Sequence, residues 1–176
     1  MEIIEIKEIT KEYKAVKALD KVSLTINEGE LFGLLGINGA GKTTLIKILS
    51  GLAKKSSGEA YIDGRHLNEM DEIKKIISLS PQETSVAMNL SVKENLEFFQ
   101  DLYDLNDDEY MKKVIDSFSL REVINKKTKT LSGGWQRRLS IAVALISKPK
   151  ILFLDEPTLG LDVLARRELW KIIKSL

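Results

Sequence analysis

Cysteine is absent from the 176-residue sequence, and histidine occurs once, at position 66. The chain therefore has neither a disulfide framework nor the clusters of cysteine and histidine that hold zinc. Lys and Arg number 27 against 26 Asp and Glu, so the net charge of +1 gives no indication of nucleic acid as a partner. No apolar run approaches the roughly 20 residues of a spanning helix, and residues 1–5 do not resemble a signal peptide. We expect a soluble protein of a reducing compartment.

Residues 36–44, Gly-Ile-Asn-Gly-Ala-Gly-Lys-Thr-Thr, fit the pattern of a phosphate-binding loop, G-x-x-x-x-G-K-[ST]. The apolar residues 31–35 before the loop predict a buried strand. Apolar residues recur at helical spacing after it, namely Leu45, Ile48, Leu49 and Leu52. Gly51 is placed to end that helix. The alternative is a glycine-rich turn that precedes a helix by chance, but strand, spacing, Lys and Thr agree on the loop.

The loop predicts a nucleotide site because its glycines let successive N–H groups point at one anion at a helix N-terminus. We expect Lys42 to reach the β- and γ-phosphates, the Thr43 hydroxyl to ligate Mg²⁺, and Thr44 to add a phosphate hydrogen bond. The predicted nucleotide-binding residues of the loop are Gly36, Ile37, Asn38, Gly39, Ala40, Gly41, Lys42, Thr43 and Thr44.

The rest of the chain alternates between strand and helix patterns. Strands are predicted at 2–9, 22–27, 59–62, 76–79 and 151–154, and the alternation in 22–27 favours an antiparallel, half-exposed strand. Ser91 and Glu94 form a capping-box pattern, and Asp107 is predicted to start another helix. These helices favour a small helical lobe, and two more helices are predicted after residues 132 and 162.

Two adjacent carboxylates, Asp155 and Glu156, follow the apolar run 151–154, which suits a strand buried on both faces of a parallel sheet. An open α/β sheet binds its ligands at the carboxyl ends of its strands. We expect Asp155 to hold Mg²⁺, through a water or jointly with Thr43, and Glu156 to polarise the water that attacks the γ-phosphate. The alternative is a pair of helix-capping acids at a surface turn.

A second anion site is predicted where Ser132-Gly133-Gly134 opens a helix with bare N–H groups and a hydroxyl. One nucleotide has one γ-phosphate, and the first loop already covers one side of it. We therefore expect the second site to contact a nucleotide held by another copy of the domain, in a two-fold dimer that encloses two ATP molecules. The alternative is an ordinary helix start after a turn.

Together, five motifs in this order resemble the ATP-binding subunit of ABC transporters, over the whole chain. Residues 36–44 correspond to Walker A, and Gln82 to the Q-loop glutamine, which the resemblance assigns to Mg²⁺ and to catalysis. Residues 151–156 correspond to Walker B, and 159–162 to the D-loop, whose Asp162 would cross the dimer. The signature motif comprises Leu131, Ser132, Gly133, Gly134 and Trp135, and Tyr13 falls where the family stacks an aromatic ring on adenine.

The resemblance implies an α/β fold of the P-loop NTPase class, with a RecA-like core sheet, an antiparallel β subdomain and a small helical signature subdomain. It divides the chain into 1–90 (β subdomain and phosphate loop), 91–148 (helical subdomain) and 149–176 (Walker B, D-loop and a helix). It implies ATP and Mg²⁺ as cofactors, and as partners a second ATP-binding subunit, identical or a close paralogue, and a separate membrane permease. The chain would then lie in the cytoplasm on the inner face of the membrane, and residues 31–36 and 158–162 are similar to the drug- and lipid-exporter branch.

The sequence departs from the family pattern in two places. Trp135 stands where the signature usually has glutamine, and we expect it to pack at the dimer or against the ribose. The family also has a histidine about thirty residues past Walker B, on a strand between the two Walker strands, whereas this chain ends at Leu176. We therefore expect an incomplete C-terminus, and the alternative function is a nucleotide-binding module with little or no turnover.

Three other nucleotide-binding families fit the sequence less well. A GTPase needs Asn-Lys-x-Asp, and residues 125–128 lack the final acid. A DNA-repair ATPase would insert a long coiled coil between Gln82 and Leu131, where this chain has only 48 residues. A translation-factor ATPase carries two such domains, whereas this chain has one set of motifs.

Overall fold

The computed structural model describes residues 1–14, 16–105 and 107–176. The chain forms two compact units, Met1–Ile77 and Ser78–Leu176. The three-part division at residues 90 and 148 stays a prediction, and each unit is described by itself below.

The first unit contains a four-stranded sheet of order β2-β1-β3-β4. Its strands are β1 (Glu2–Tyr13), β2 (Val16–Asn27), β3 (Ser57–Ile62) and β4 (Arg65–His66), and every pair is antiparallel. Ile4 on the central strand lies between Ile26 and Ile62 and is buried, which follows from the alternation of apolar residues along β1. The predicted antiparallel strands are confirmed, and β1 and β2 are longer than expected.

Asp63 and Gly64 form a tight turn. Both residues have positive φ, 51° and 73°, and they join β3 to β4. Two consecutive left-handed residues match the right-handed twist of a hairpin, and Asp and Gly tolerate that conformation. A 3₁₀ turn (Leu67–Glu69) and the short helix α2 (Met70–Ile73) follow.

The helix after the phosphate loop, α1, spans Lys42–Leu49 and buries Leu45, Ile46, Ile48 and Leu49. Gly51, with φ at 75°, follows its end as predicted. Leu52, the last apolar residue of the helical spacing, lies beyond Gly51 and outside α1, and it is 65% exposed.

The buried strand predicted at residues 31–35 is wrong. These residues lie outside any strand, and Leu35 is 97% exposed. A strand needs a neighbour to accept and donate its ladder hydrogen bonds, and in the part of the chain that the structure describes this segment has none. Hydrophobicity alone therefore does not make the segment a strand.

The second unit contains helices α3 (Val92–Leu102), α4 (Asp108–Ser117), α5 (Gly133–Ile146) and α6 (Val163–Ile173), with 3₁₀ turns at Leu120–Val123 and Thr128–Thr130. Strand β5 (Ile77–Ser80), which begins at the boundary of the units, pairs with β6 (Ile151–Leu154). The helices share one apolar core that includes Val92, Leu96, Val114, Phe118, Leu139 and Leu169. Burial of β6 on both faces was expected, but only Phe153 is buried, because β6 has one neighbouring strand among the described residues.

Capping explains where the helices of this unit begin. Ser91 Oγ accepts from the Glu94 N–H at 3.2 Å, and Glu94 Oε2 accepts from the Ser91 N–H at 2.6 Å, which completes the predicted capping box. Asp107 Oδ1 accepts from the Tyr110 N–H at 2.9 Å and starts α4 as predicted. Among the described residues no helix has both the length and the apolar character needed to traverse a bilayer.

Candidate functional site

The phosphate loop of the first unit curls through two left-handed glycines, Gly39 (φ 85°) and Gly41 (φ 87°). A Cβ on Gly41 would lie 2.4 Å from the carbonyl oxygen of Ala18, so no other residue fits there without displacing the backbone. Space around Gly39 is open, so only its dihedral angle favours glycine. The Ala40 N–H donates to Ile37 O at 3.1 Å and closes the turn.

Lys42 opens α1, and its ammonium group folds back over the loop. Nζ donates to Gly36 O at 2.8 Å and to Ile37 O at 3.0 Å. Phosphate oxygens carry charge and are stronger acceptors than these neutral carbonyls. The ammonium group of the lysine therefore lies at the loop, and its contact with a phosphate stays a prediction. Thr43 and Thr44 follow in the first turn of α1 and are half-buried.

Tyr13, the predicted adenine platform, lies at the end of β1 and is 47% exposed. The Lys11 ammonium lies 4.5 Å from the centroid of its ring. A cation occupies one face of the ring in this structure, and adenine stacking stays a prediction.

In the second unit, Asp155 and Glu156 follow β6, as the sequence predicts. Asp155 is buried, and its main-chain N–H donates to Ser80 O at the end of β5, at 3.0 Å. Glu156 is half-buried and has φ at 47°, a left-handed conformation that is uncommon for glutamate.

Gln82 lies two residues beyond Ser80 and is exposed, so the Ser80–Asp155 hydrogen bond brings its segment next to the carboxylate pair. The predicted Mg²⁺ ligands Thr43, Gln82 and Asp155 supply hydroxyl, amide and carboxylate oxygens, which is the donor chemistry that Mg²⁺ takes. Thr43 belongs to the first unit and the other two to the second. Within residues 1–14, 16–105 and 107–176, no group of three or more His, Cys, Asp or Glu is placed to hold a metal.

The signature residues form the start of α5. Leu131 is buried, and Ser132 is the exposed N-cap, whose side chain makes no capping hydrogen bond. Gly133 and Gly134 follow in the first turn, where the N–H groups of a helix lack partners within the helix. The predicted helix start is confirmed, and contact with a second nucleotide stays a prediction.

Trp135 is half-buried, and the Arg138 guanidinium lies 4.8 Å from its ring centroid. Arg138 also forms an ion pair with Glu168 of α6. These residues line an open groove beside the signature segment. Asp162, predicted to cross a dimer, caps α6 in this chain, because its Oδ1 accepts from the N–H groups of Leu164 and Ala165 at 2.9 Å.

Two buried polar side chains of the second unit were missed at the sequence level. Asn95 of α3 is fully buried, and Arg137 of α5 is 5% exposed. Asn95 Nδ2 donates to Ala87 O, Ser91 O and Thr128 Oγ1 at 2.9–3.0 Å, and the Ala87 N–H donates back to Asn95 Oδ1 at 2.7 Å. The side chain thus holds together the segment after Gln82 and the segment before Leu131.

Arg137 donates from its guanidinium to main-chain carbonyls, including Asp155 O at 2.8 Å and Pro157 O at 3.0 Å. Burial lowers the pKa of Arg137, and the charge of Asp155 opposes that effect. The sequence carried one signal for this residue. Arg137 precedes Ser140 by three positions and Ala144 by seven, so it shares a helix face with small residues, both of them buried.

Comparison with known proteins gives one consistent answer. The family model described as ABC transporter matches residues 19–159. The chain is 39% identical to the probable multidrug ABC transporter ATP-binding protein YbhF of Escherichia coli K12, over 99% of the chain and 31% of that protein. It is 38% identical to the human phospholipid-transporting ATPase ABCA3, over 97% of the chain and 10% of that protein. The chain therefore spans less than a third of these curated relatives.

Two solved structures have the same fold over nearly the whole chain. One is cbiO1 of Clostridium perfringens, part of the ABC transporter complex cbiONQ, with a TM-score of 0.89, 28% identity, and coverage of 99% of this chain and 73% of that one. The other is the ATP-binding cassette MJ0796 as a dimer in a post-hydrolysis state bound to ADP and Pi. Its TM-score is 0.82 and its identity 30%, with coverage of 98% of this chain and 82% of that one.

Proposed function

This chain belongs to the ABC transporter family as an ATP-binding domain with the P-loop NTPase fold, and on that premise we propose that it hydrolyses ATP to power export through a separate membrane permease. Export is proposed because of the similarity of residues 31–36 and 158–162 to the exporter branch. Two of the relatives also carry the words multidrug and phospholipid-transporting in their names. The cargo that we propose is accordingly drug-like or lipidic.

The phosphate loop is the observation that carries this proposal. Gly39 and Gly41 take the left-handed conformation that the loop needs, and the Lys42 ammonium already lies over the loop. The loop leads directly into the N-terminus of α1, whose positive dipole end favours an anion. We assign residues 36–44 to the phosphates of ATP and Tyr13 to adenine.

The second unit supplies the groups for hydrolysis in this proposal. Glu156 accepts a proton from the attacking water as general base, and Gln82 orients that water. Asp155 and Gln82, with Thr43, would hold Mg²⁺, which neutralises phosphate charge when bound. A main chain fixed on both sides of Glu156 supports this role, because a general base must be held within hydrogen-bond reach of the water.

We propose a dimer in which Ser132, Gly133, Gly134 and Trp135 contact the nucleotide of a second, identical or closely related subunit, with Asp162 at the interface. The exposed Ser132 and its uncapped helix start support this assignment. The permease would hold the dimer at the inner face of the membrane. Sedimentation of the Glu156→Gln variant tests the dimer, with a doubled mass expected at saturating Mg·ATP and an unchanged mass contradicting it.

Steady-state release of phosphate tests the enzymatic proposal. Glu156→Gln is expected to keep the heat of Mg·ATP binding and to lose at least about 100-fold in turnover, the usual contribution of a general base. Glu109→Gln is the matched control, because Glu109 is exposed on α4 and pairs only with Lys113 among the ion pairs of the described residues. Equal turnover of the two variants would contradict the role of Glu156.

One observation favours a second candidate, a nucleotide-binding module with little or no turnover. The segment before the phosphate loop, residues 31–35, lies outside any strand and is mostly exposed. A phosphate loop without that support would bind the triphosphate but position it loosely for attack. Heat on titration with Mg·ATP, without phosphate release above background, would favour this candidate over the enzyme.

A further inference from the structure

The buried guanidinium of Arg137, on α5, joins two other segments of the second unit, residues 81–82 and 155–157. Nε donates to Pro157 O at 3.0 Å, and Nη2 donates to Asp155 O at 2.8 Å. Nη1 donates to Pro81 O, and Gln82 O lies at 3.5 Å from the same nitrogen. All four acceptors are main-chain carbonyls. These hydrogen bonds therefore fix the path of the backbone rather than the orientation of another side chain.

The acceptors Asp155 O and Pro157 O lie on either side of Glu156. Glu156 itself has φ at 47°, a left-handed conformation that costs an ordinary residue free energy. Such a conformation persists only where the surroundings determine it from several directions. One planar cation that holds the carbonyl before Glu156 and the carbonyl after it is a determinant of that kind.

We propose that Arg137 is a positioning residue for hydrolysis, which holds the Glu156 backbone in its left-handed conformation and at a fixed distance from the Gln82 segment. This inference rests on the proposed function, because it assumes that Glu156 is the general base. It assigns no contact with nucleotide to Arg137. Nucleotide binding therefore does not require the residue, whereas turnover does.

The chemistry explains why arginine occupies the position. A guanidinium carries five N–H donors on three nitrogens in a fixed plane, so it reaches acceptors in three directions at once. An ammonium group is a single nitrogen and would hold one or two of these carbonyls. Lysine at position 137 would keep the charge and lose the simultaneous hold on both sides of Glu156.

The place of Arg137 on α5 gives the inference a further consequence. The residue lies in the second turn of α5, the helix that begins directly after Ser132. A rotation or shift of the signature segment would therefore move the guanidinium, and with it the backbone on both sides of Glu156. Contact at the signature would reach the proposed general base through a single side chain.

The sharpest test compares Arg137→Lys with Arg121→Lys in the full-length protein. Arg121 is an exposed arginine paired with Asp116, so the control makes the same substitution away from these segments. Amide hydrogen exchange, measured without nucleotide, reports how firmly the backbone is held. Arg137→Lys is expected to raise the exchange rates of residues 155–161 and to leave those of residues 93–102 unchanged. If Arg137→Lys does not fold, Arg137→Gln, which has a planar donor group on one nitrogen, is measured instead.

Steady-state kinetics then measure the effect of Arg137 on ATP hydrolysis. Arg137→Lys is expected to lower kcat at least about tenfold, since a displacement of ~1 Å in a reacting group costs up to about 100-fold. The Kd for Mg·ATP is expected to stay within about twofold, because Arg137 is not assigned to the nucleotide. In the Glu156→Gln background the same substitution is expected to lower kcat no further, because the group that it positions is gone.

The outcomes separate this inference from the proposed function. If the wild-type protein hydrolyses ATP, and Arg137→Lys changes neither hydrogen exchange nor kcat, the inference is overturned and the proposed function stands. A parallel loss of kcat and Mg·ATP affinity, additive with Glu156→Gln, also overturns it, since that pattern indicates general damage to the fold. If the wild-type protein releases no phosphate, the proposed function fails and the role in turnover fails with it, while raised exchange in residues 155–161 would still support the positioning of the backbone.

Discussion

The Lys42 ammonium group donates to the carbonyl oxygen of Gly36 at 2.8 Å, so the last residue of the G-x-x-x-x-G-K run reaches back to the first. A second hydrogen bond, to Ile37 O at 3.0 Å, holds it there. The cation therefore shapes the loop in the structure described here. A bound triphosphate would draw the same group to a charged acceptor.

Lys42→Ala is expected to weaken Mg·ATP binding by about 1.5–3 kcal/mol, or roughly 10- to 150-fold, the usual range for a hydrogen bond to a charged group. Titration calorimetry measures this loss of binding free energy directly. Lys47→Ala is the matched control, since Lys47 lies in the same helix with its side chain exposed. Equal binding heat in both variants would remove the basis for assigning the phosphates to this loop.

Gly39 and Gly41 share a left-handed φ but differ in their surroundings. Gly39→Ala is expected to cost about 1–2 kcal/mol of unfolding free energy from the dihedral angle alone. Gly41→Ala is expected to cost about 3 kcal/mol or more, because its Cβ would overlap the carbonyl oxygen of Ala18 at 2.4 Å. Denaturant unfolding of the two variants measures the difference, and equal costs would contradict the described path of the loop.

Asn95→Ala is expected to destabilise the protein by about 2–3 kcal/mol, because it leaves several hydrogen-bonding groups without their partner. Of these, Thr128 is fully buried, so water does not replace the lost bond there. Lys93→Ala, on the exposed side of the same helix, is expected to stay within about 0.5 kcal/mol. Denaturant unfolding measures both variants. A midpoint denaturant concentration for Asn95→Ala equal to that of Lys93→Ala would show that the hydrogen bonds of Asn95 add nothing to stability.

Asp107 is expected to make stability depend on pH. The hydrogen bond from the Lys148 ammonium, followed by that from the Tyr110 N–H, lowers the pKa of the Asp107 carboxyl below its ordinary value. A carboxyl whose pKa is lower in the folded state stabilises the protein above its unfolded pKa of about 4, and this contribution is lost as pH falls through the folded pKa.

Asp107→Asn isolates this effect, because asparagine also caps helices but carries no charge. The gap in Tm between wild type and variant is expected to be largest above about pH 5 and to close as the pH falls through the lowered pKa of the folded state. Asp101→Asn, an exposed change at the end of α3, is the control. A gap that stays constant over this range would exclude ionisation of Asp107 as its cause.

Local chemistry made much of the fold predictable. The Ser91–Glu94 capping box, the Asp63-Gly64 turn and the phosphate loop each depend on residues within a few positions of one another, so the sequence contains their whole cause. Strand 22–27 could be predicted for a similar reason, because its alternating pattern reflects one buried and one exposed face.

Features that depend on distant partners could not be predicted in the same way. Residues 31–35 have the composition of a buried strand, but composition does not supply the neighbour that completes a ladder. Asn95 and Arg137 are polar types that are mostly exposed in proteins, and their burial follows from loops that folding brings to them. The left-handed φ of Glu156 likewise contradicts the local preference of glutamate.

The left-handed conformation of Glu156 opposes selection for stability to selection for catalysis at this one position. Glycine at this position would relax the backbone by about 1–2 kcal/mol, so a screen for thermal robustness should enrich Glu156→Gly. The same replacement removes the carboxylate on which the proposed chemistry depends. Selection for heat tolerance and selection for ATP hydrolysis should therefore favour different residues at position 156. Variants that survive the thermal screen through Glu156→Gly should not hydrolyse ATP.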